Sequence, residues 1–255
     1  MLVSIITPVH NSIEHVEEAI QSILKQTYTN WELILIDDKS SDSSLEVLHA
    51  YEEKDSRIHL LKNEKNKGAA LTRNRGIEAS KGRFIAFLDS DDLWEPTKLE
   101  TQIAFMLEKG HAFTYTSYLT FRNDNEEVGV LEVPEKVNHN DLLKTCSIGC
   151  LTAMYDTEVL GKVYMPIISK RQDYALWLKI LKEIPFAYGI NTPLAKYRLR
   201  SDSISGNKLK AAGYQWKVYR EFENLSIFQA SYYFIHYSIF GVIKTYFNKM
   251  QKQKD

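Results

Sequence analysis

Residues 1–92 alternate between short apolar runs and helical patterns, and two of those runs end in clustered aspartates. Leu2–Thr7 is an apolar run of the kind a strand shows when both faces are covered. Pro8 and Asn11 end it. Ile13, Val16, Ile20, Ile23 and Leu24 then recur at helical spacing, with Glu14 placed to support a cap at Asn11. Leu33–Ile36 reads as a second strand ending in Asp37-Asp38, followed by a polar turn at Lys39–Ser44 and a helix over Leu45–Glu53. Ile58–Leu61 reads as a third strand, and Lys67-Gly68 opens a helix to about Ala79. After Gly82, Arg83–Leu88 forms a fourth strand ending in Asp89-Ser90-Asp91-Asp92. Strands and helices at these intervals predict parallel βαβ units with helices on both faces of one sheet. Ligands of such sheets lie at the carboxyl ends of the strands, where both acidic clusters fall.

Beyond Asp92 the pattern loosens. Lys98–Leu107 and Asp173–Leu181 read as helices, and Ala112–Phe121, Leu151–Tyr155, Phe186–Ile190 and Leu194–Leu199 as strands. No repeat, low-complexity tract or Pro/Gly-rich linker divides the chain. The prediction is an α/β domain over residues 1–205 with a helical appendage over 206–255.

With 255 residues, 44% of them hydrophobic and 25% charged, the chain buries a sizeable core and has an ordinary globular composition. A formal net charge of -1 provides no basic field for nucleic acid, so a phosphate-bearing ligand must be held locally. Cys146 and Cys150 have no further Cys or His pair beside them, which argues against zinc. They read as small, buried, reduced thiols of a reducing compartment. The amino terminus shows no basic leader before a long apolar run, so the expectation is a cytoplasmic protein.

Three carboxylates within Asp89–Asp92 repel one another at a strand terminus unless a cation compensates them. A divalent ion held by one or two carboxylates and by diphosphate oxygens is one solution; a solvated helix start is another. Asp37-Asp38 alone is ordinary turn chemistry, and gains meaning from lying on the same sheet edge.

The ordered set Ser4-Ile5-Ile6-Thr7-Pro8, Ile36–Asp42, Gly68–Gly76 and Phe87–Asp92, with Arg171-Gln172-Asp173 and Trp177 downstream, resembles the family 2 glycosyltransferases of GT-A fold. The resemblance spans roughly residues 2–205 and is nearest to bacterial cell-surface polysaccharide transferases of the teichuronic acid and O-antigen type. It implies a Rossmann-like, mostly parallel sheet flanked by helices. It also implies inverting transfer of a sugar from a nucleotide diphosphate donor, UDP-linked, to a saccharide acceptor carried on undecaprenyl diphosphate, with Mn²⁺ or Mg²⁺ as cofactor. Thr7 and Pro8 would border the nucleobase, Asp38 would accept from the uracil imide, and Arg73 would meet the donor phosphates. Asp91 would bind the metal, with Asp89 completing the pair near the ribose or sugar and Asp92 helping behind them.

Inversion also needs a base for the acceptor hydroxyl, and the resemblance assigns this to Asp173. Gln172 stands where these enzymes usually carry an acid. In Tyr197-Arg198-Leu199-Arg200-Ser201, Arg198 and Arg200 are candidate donor contacts, Arg200 occupying the place where a His often sits near the diphosphate. Two rivals remain. A haloacid dehalogenase-type phosphatase expects Thr or Val two places after the second Asp, where this chain has Leu93; a catalytically inactive nucleotide-sugar-binding protein would lack the base or metal carboxylate. Finally, Asn224–Phe247 is dense in Phe, Tyr and Ile and is followed by lysines, but Gln229, His236 and Lys244 interrupt it. It reads as a helix packed on the catalytic domain or on a second subunit, giving a homodimer, or, with the lipid-linked acceptor that the resemblance implies, as one for peripheral membrane contact at the inner face of the plasma membrane.

Overall fold

The computed structural model describes residues 1–122, 126–199 and 208–251. Its first part runs β1 (Val3–Val9), α1 (Val16–Leu24), β2 (Trp31–Asp37), α2 (Ser44–Lys54), β3 (Ile58–Lys62), α3 (Ala69–Ala79) and β4 (Phe84–Phe87). Then follow β5 (Leu93–Trp94), α4 (Lys98–Lys109), β6 (Phe113–Phe121), β7 (Glu127–Leu131), β8 (Lys136–Val137), α5 (His139–Lys144), β9 (Met154–Asp156) and α6 (Thr157–Leu160). The last elements are α7 (Gln172–Glu183), β10 (Ala187–Arg198), α8 (Lys208–Lys217) and α9 (Ile227–Gln251).

The strands form one mixed sheet in the order β3-β2-β1-β4-β9-β6-β10-β5, with β7 beside β6 and β8 beside β10. β3, β2, β1 and β4 are mutually parallel, and β9 runs antiparallel between β4 and β6. Alternate side chains of each strand feed opposite faces. Ile6, Ile34, Ile36, Ile85 and Phe87 pack with Ile77 of α3 and Trp177 of α7. Ile5, Leu33, Leu35, Ala86 and Leu88 pack with Ile20 of α1 and Leu48 of α2. Two covered faces explain why these strands carry apolar residues in both alternating sets of positions rather than in one.

Two local expectations change, and two features are new. Helix α1 starts at Val16, and Asn11, with φ 48, does not cap it: its side chain accepts from Ser41 N at 2.8 Å. The two strands expected at 186–199 are one strand, β10, whose pairing with β6 slips around Pro193; a proline cannot donate to the ladder there. β5 is a two-residue strand held against β10, too short to carry a pattern. Helix α5 begins with a reciprocal cap between Asn138 and Asp141.

Between α8 and α9 the chain makes a π-helical turn at Val218–Phe222. Val218, Tyr219 and Ala230 are fully buried in the same core as Trp177. Tyr219 Oη donates to Leu143 O at 2.6 Å, and the buried Glu223 carboxylate meets Lys182 Nζ at 2.8 Å and His139 Nε2 at 2.9 Å. Among the described residues no helix is long and apolar enough to cross a membrane.

Candidate active site

The loops after β1 and β2 are stitched together. Ser12 N donates to Ser44 Oγ at 2.9 Å, Asn11 N to Ser40 Oγ at 3.1 Å, and Ile13 N to Asp42 at 3.2 Å. Burial pushes the Asp42 carboxyl up, but the Ser44 and Ile13 donors outweigh it and hold it below the ordinary range. Asp37 closes the turn by accepting from Ser40 N. The floor between these loops is β1, where Pro8 is half-buried and the buried Thr7 Oγ1 has no hydrogen-bond partner among the described residues.

Asp38 sits at the carboxyl end of β2 and anchors a third loop. It accepts from Asn63 Nδ2, Lys67 N and Gly68 N, each at 2.8 Å. Gly68 has φ +80, a left-handed conformation that a side chain would disfavour, and this presents its N–H to Asp38 just before α3. Burial raises the Asp38 carboxyl, yet these donors leave it lowered, so it is anionic at neutral pH. Much of its acceptor capacity is therefore spent on the protein's own loop. Across the opening, His10 Nε2 and Asn66 Nδ2 lie 3.2 Å apart.

Helix α3 approaches the sheet closely because residue 76 is glycine: a Cβ there would lie 2.6 Å from Ile6 Cγ2 and 2.9 Å from Ile36 Cδ1. That approach carries Arg73 to the end of β4, where its Nη2 pairs with Asp89 Oδ1. The Arg73 side chain is 6% exposed. Burial opposes its charge, but Asp89, with smaller help from Cys150 and Asp173, holds its pKa above the usual value. Its Nε and Nη1 are buried with no partner among the described residues, two nitrogens of a fixed cation left to be satisfied.

The acidic turn is braced from β10. Asp92 N donates to Asp89 O at 3.1 Å, and the buried Asp92 carboxylate accepts from Arg198 N at 2.9 Å. Burial, then repulsion from Asp91 and Asp89, pushes the Asp92 carboxyl well above the usual range despite Arg198. Arg198 itself is 3% exposed; its Nε donates to Asp91 O at 2.8 Å, its Nη2 pairs with Glu18, and its guanidinium lies 4.4 Å from the Phe121 ring. These contacts make Arg198 a brace of the acidic turn. Arg200 lies outside the described residues.

Asp173 reaches this site by packing. Trp177, one turn further along α7, is fully buried with its ring 5.7 Å from Phe87 and 5.1 Å from Phe113. Phe87 lies two residues before Asp89, so α7 is seated on the strand that carries the acidic turn. Asp173 is half-buried and near enough to Arg73 and Cys150 for its charge to act on both. Cys150 opens a 3-10 turn, Cys150–Thr152, and its thiol is pushed well up by burial, with Asp89 and Asp173 adding to the effect and Arg73 opposing it. Cys150 is the site neighbour that the sequence reading missed; nothing in its local pattern distinguishes it from a core thiol. Asp89, Arg73, Asp173 and Cys150 thus converge, with Asp38 and Thr7 on the neighbouring strands of the same edge.

Among the described residues no three His, Cys, Asp or Glu side chains converge to hold a metal by themselves. The turn still fits a divalent ion of the Mg²⁺ or Mn²⁺ kind, which takes one or two carboxylates plus ligand oxygens. Burial is the main cause of the raised Asp92 carboxyl, and behind it stands the like charge of Asp91 and Asp89, which a divalent ion would offset.

Fold and site define an α/β protein of GT-A type with an acidic turn at the carboxyl edge of its sheet. The chain belongs to glycosyl transferase family 2, whose profile matches residues 4–162. It is 45% identical to the putative teichuronic acid biosynthesis glycosyltransferase TuaG of Bacillus subtilis, over 93% of this chain and 94% of that protein. It is 44% identical to WfgD of Escherichia coli, a UDP-Glc:alpha-D-GlcNAc-diphosphoundecaprenol beta-1,3-glucosyltransferase, over 99% and 98% of the two chains. Its fold matches the mannosyltransferase PcManGT from Pyrobaculum calidifontis in complex with GDP-Man and Mn²⁺, with TM-score 0.71 at 16% identity, over 91% of this chain and 69% of that one. The protein is a glycosyltransferase.

Proposed function

We propose that the enzyme transfers glucose from UDP-glucose, with inversion, to a saccharide carried on a polyprenyl diphosphate. The observation that carries this reading is the gathering of Arg73, Asp89 and Asp173 where the carboxyl end of β4 meets the amino end of α7. The relation to WfgD supports the donor and acceptor classes. Thr7 and Pro8 form the floor of the uracil site. Asp38 forms its wall, fixing the Lys67–Gly68 segment before any imide contact is made. Asp91 and Asp89 would hold the divalent ion, which when bound neutralises charge on the departing diphosphate. Arg73 directs its unpartnered donors to the donor's oxygens.

Asp173 takes the proton of the acceptor hydroxyl as that oxygen attacks the anomeric carbon. The new C–O bond forms on the face opposite the breaking bond, UDP leaves with the bonding pair, and the proton stays on Asp173. A fixed cation and a separate carboxylate divide the work, one steadying the donor and the other activating the acceptor. Arg198 contributes by holding the turn in shape.

Titration calorimetry of UDP, with and without Mn²⁺, on wild type and Asp91→Ala tests the donor site. Tight binding that needs both the ion and Asp91 supports it. Binding indifferent to both removes the metal assignment, and no binding of UDP removes the donor assignment.

A further inference from the structure

Helix α9 has two apolar faces, and only one of them is used by the fold. Ala230 is fully buried, Tyr233 and Phe234 pack on the core beside it, and Tyr237 Oη is bonded to Arg171. On the opposite side Phe228, Tyr232, Ile235 and Ile239 follow one another at i, i+4, i+7 and i+11 and so line up in one stripe. They are 89%, 51%, 58% and 50% exposed. Scattered apolar residues on a surface need no explanation, but a continuous stripe does.

The charge pattern selects the occupant. From Ser226 onward the sequence holds Lys244, Lys249, Lys252 and Lys254 against a single acid, Asp255. Ile227–Gln251 holds lysines and no carboxylate, so a helix pairing with its own copy would find no opposite charge within the helix, the complement that coiled-coil partners use. An anionic lipid surface supplies it, and an aromatic–aliphatic stripe with basic residues is the composition of a helix lying in a bilayer interface. We propose that the Phe228–Ile239 face of α9 docks this enzyme onto an anionic membrane surface. The docked helix is tied to the chemistry through Arg171, which precedes Asp173 by two residues and also stacks its guanidinium 5.3 Å from the Tyr237 ring. Docking thus brings the base-bearing end of α7 to the surface where a lipid-linked acceptor lies. The proposal rests on the lipid-linked acceptor of the preceding section for its purpose, but its test does not.

The test is co-sedimentation with vesicles of phosphatidylglycerol and phosphatidylcholine, free of any acceptor or sugar nucleotide. Wild type is expected on these vesicles, with binding that weakens as salt rises and that falls on pure phosphatidylcholine. Phe228→Gln/Ile235→Gln alters exposed side chains only and is expected to lower vesicle binding at least tenfold while its UDP affinity stays unchanged. Wild type remaining in the supernatant with anionic vesicles would overturn the proposal. So would light scattering that finds a wild-type dimer split into monomers by the double substitution, since the stripe would then belong to a second copy. Vesicle binding without transfer to a lipid-linked sugar would leave the docking face standing and fail only the acceptor assignment.

Discussion

At the level of single residues, the site is a problem in crowded charge. Arg73 keeps its charge in a buried position because Asp89 pairs with it, whereas Asp92, equally buried, has two carboxylates as neighbours and is driven towards its neutral form. A carboxyl whose folded pKa is raised binds protons more readily folded than unfolded. Its stabilising effect is complete below the unfolded pKa and is lost as pH rises through the folded one. Asp92→Asn keeps an acceptor for Arg198 N and removes the titration. Urea unfolding of metal-free protein should therefore show the variant gaining stability on wild type as pH rises from 5 towards 8 (about three units, spanning well beyond the ordinary Asp range). A constant gap over that range would mean that Asp92 stays ionised. The carboxylates at 89–92 were legible because three acids cannot share a strand end without compensation. The part played by Cys150 was not, since a buried thiol carries no pattern that tells site from core.

At the level of elements, what matters is how closely α3 and α7 seat on the sheet. Gly76 lets α3 lie against Ile6 and Ile36, and Arg73 sits one turn before it on the same helix. Gly76→Ala inserts a methyl group where nothing fits without movement. It should cost about 1–3 kcal/mol in thermal or chemical unfolding, the usual range for overpacking, and should weaken UDP binding through the displaced Arg73. A variant as stable as wild type with full UDP affinity would show that the close approach is not what places the arginine. The βαβ half of the fold could be read because each strand is covered on both faces and each helix keeps its own period. The second half resisted for a physical reason. β10 slips its pairing at Pro193 and so reads as two strands, and β5 is shorter than any period. The cap of α1 was misread because Asn11, as a left-handed residue, serves the neighbouring loop instead.

At the level of the whole molecule, the proposed reaction needs a donor side and an acceptor side, and its residues come from separate elements at the sheet edge. β1, β2, α3 and β4 bring Thr7, Asp38, Arg73 and Asp89, while α7, anchored by Trp177 on Phe87, brings Asp173 from the other side. This separation is what inversion requires, and it is the central claim. The direct measurement is transfer from UDP-glucose to an N-acetylglucosamine diphosphate lipid by wild type and Asp173→Asn, with the product's anomeric configuration read by proton NMR. The account predicts a β-linked product from the α-linked donor, and in the variant an unchanged UDP affinity with turnover lower by roughly 10²–10⁴, the usual contribution of a general base. An α-linked product, or wild-type turnover in the Asp173 variant, would contradict it.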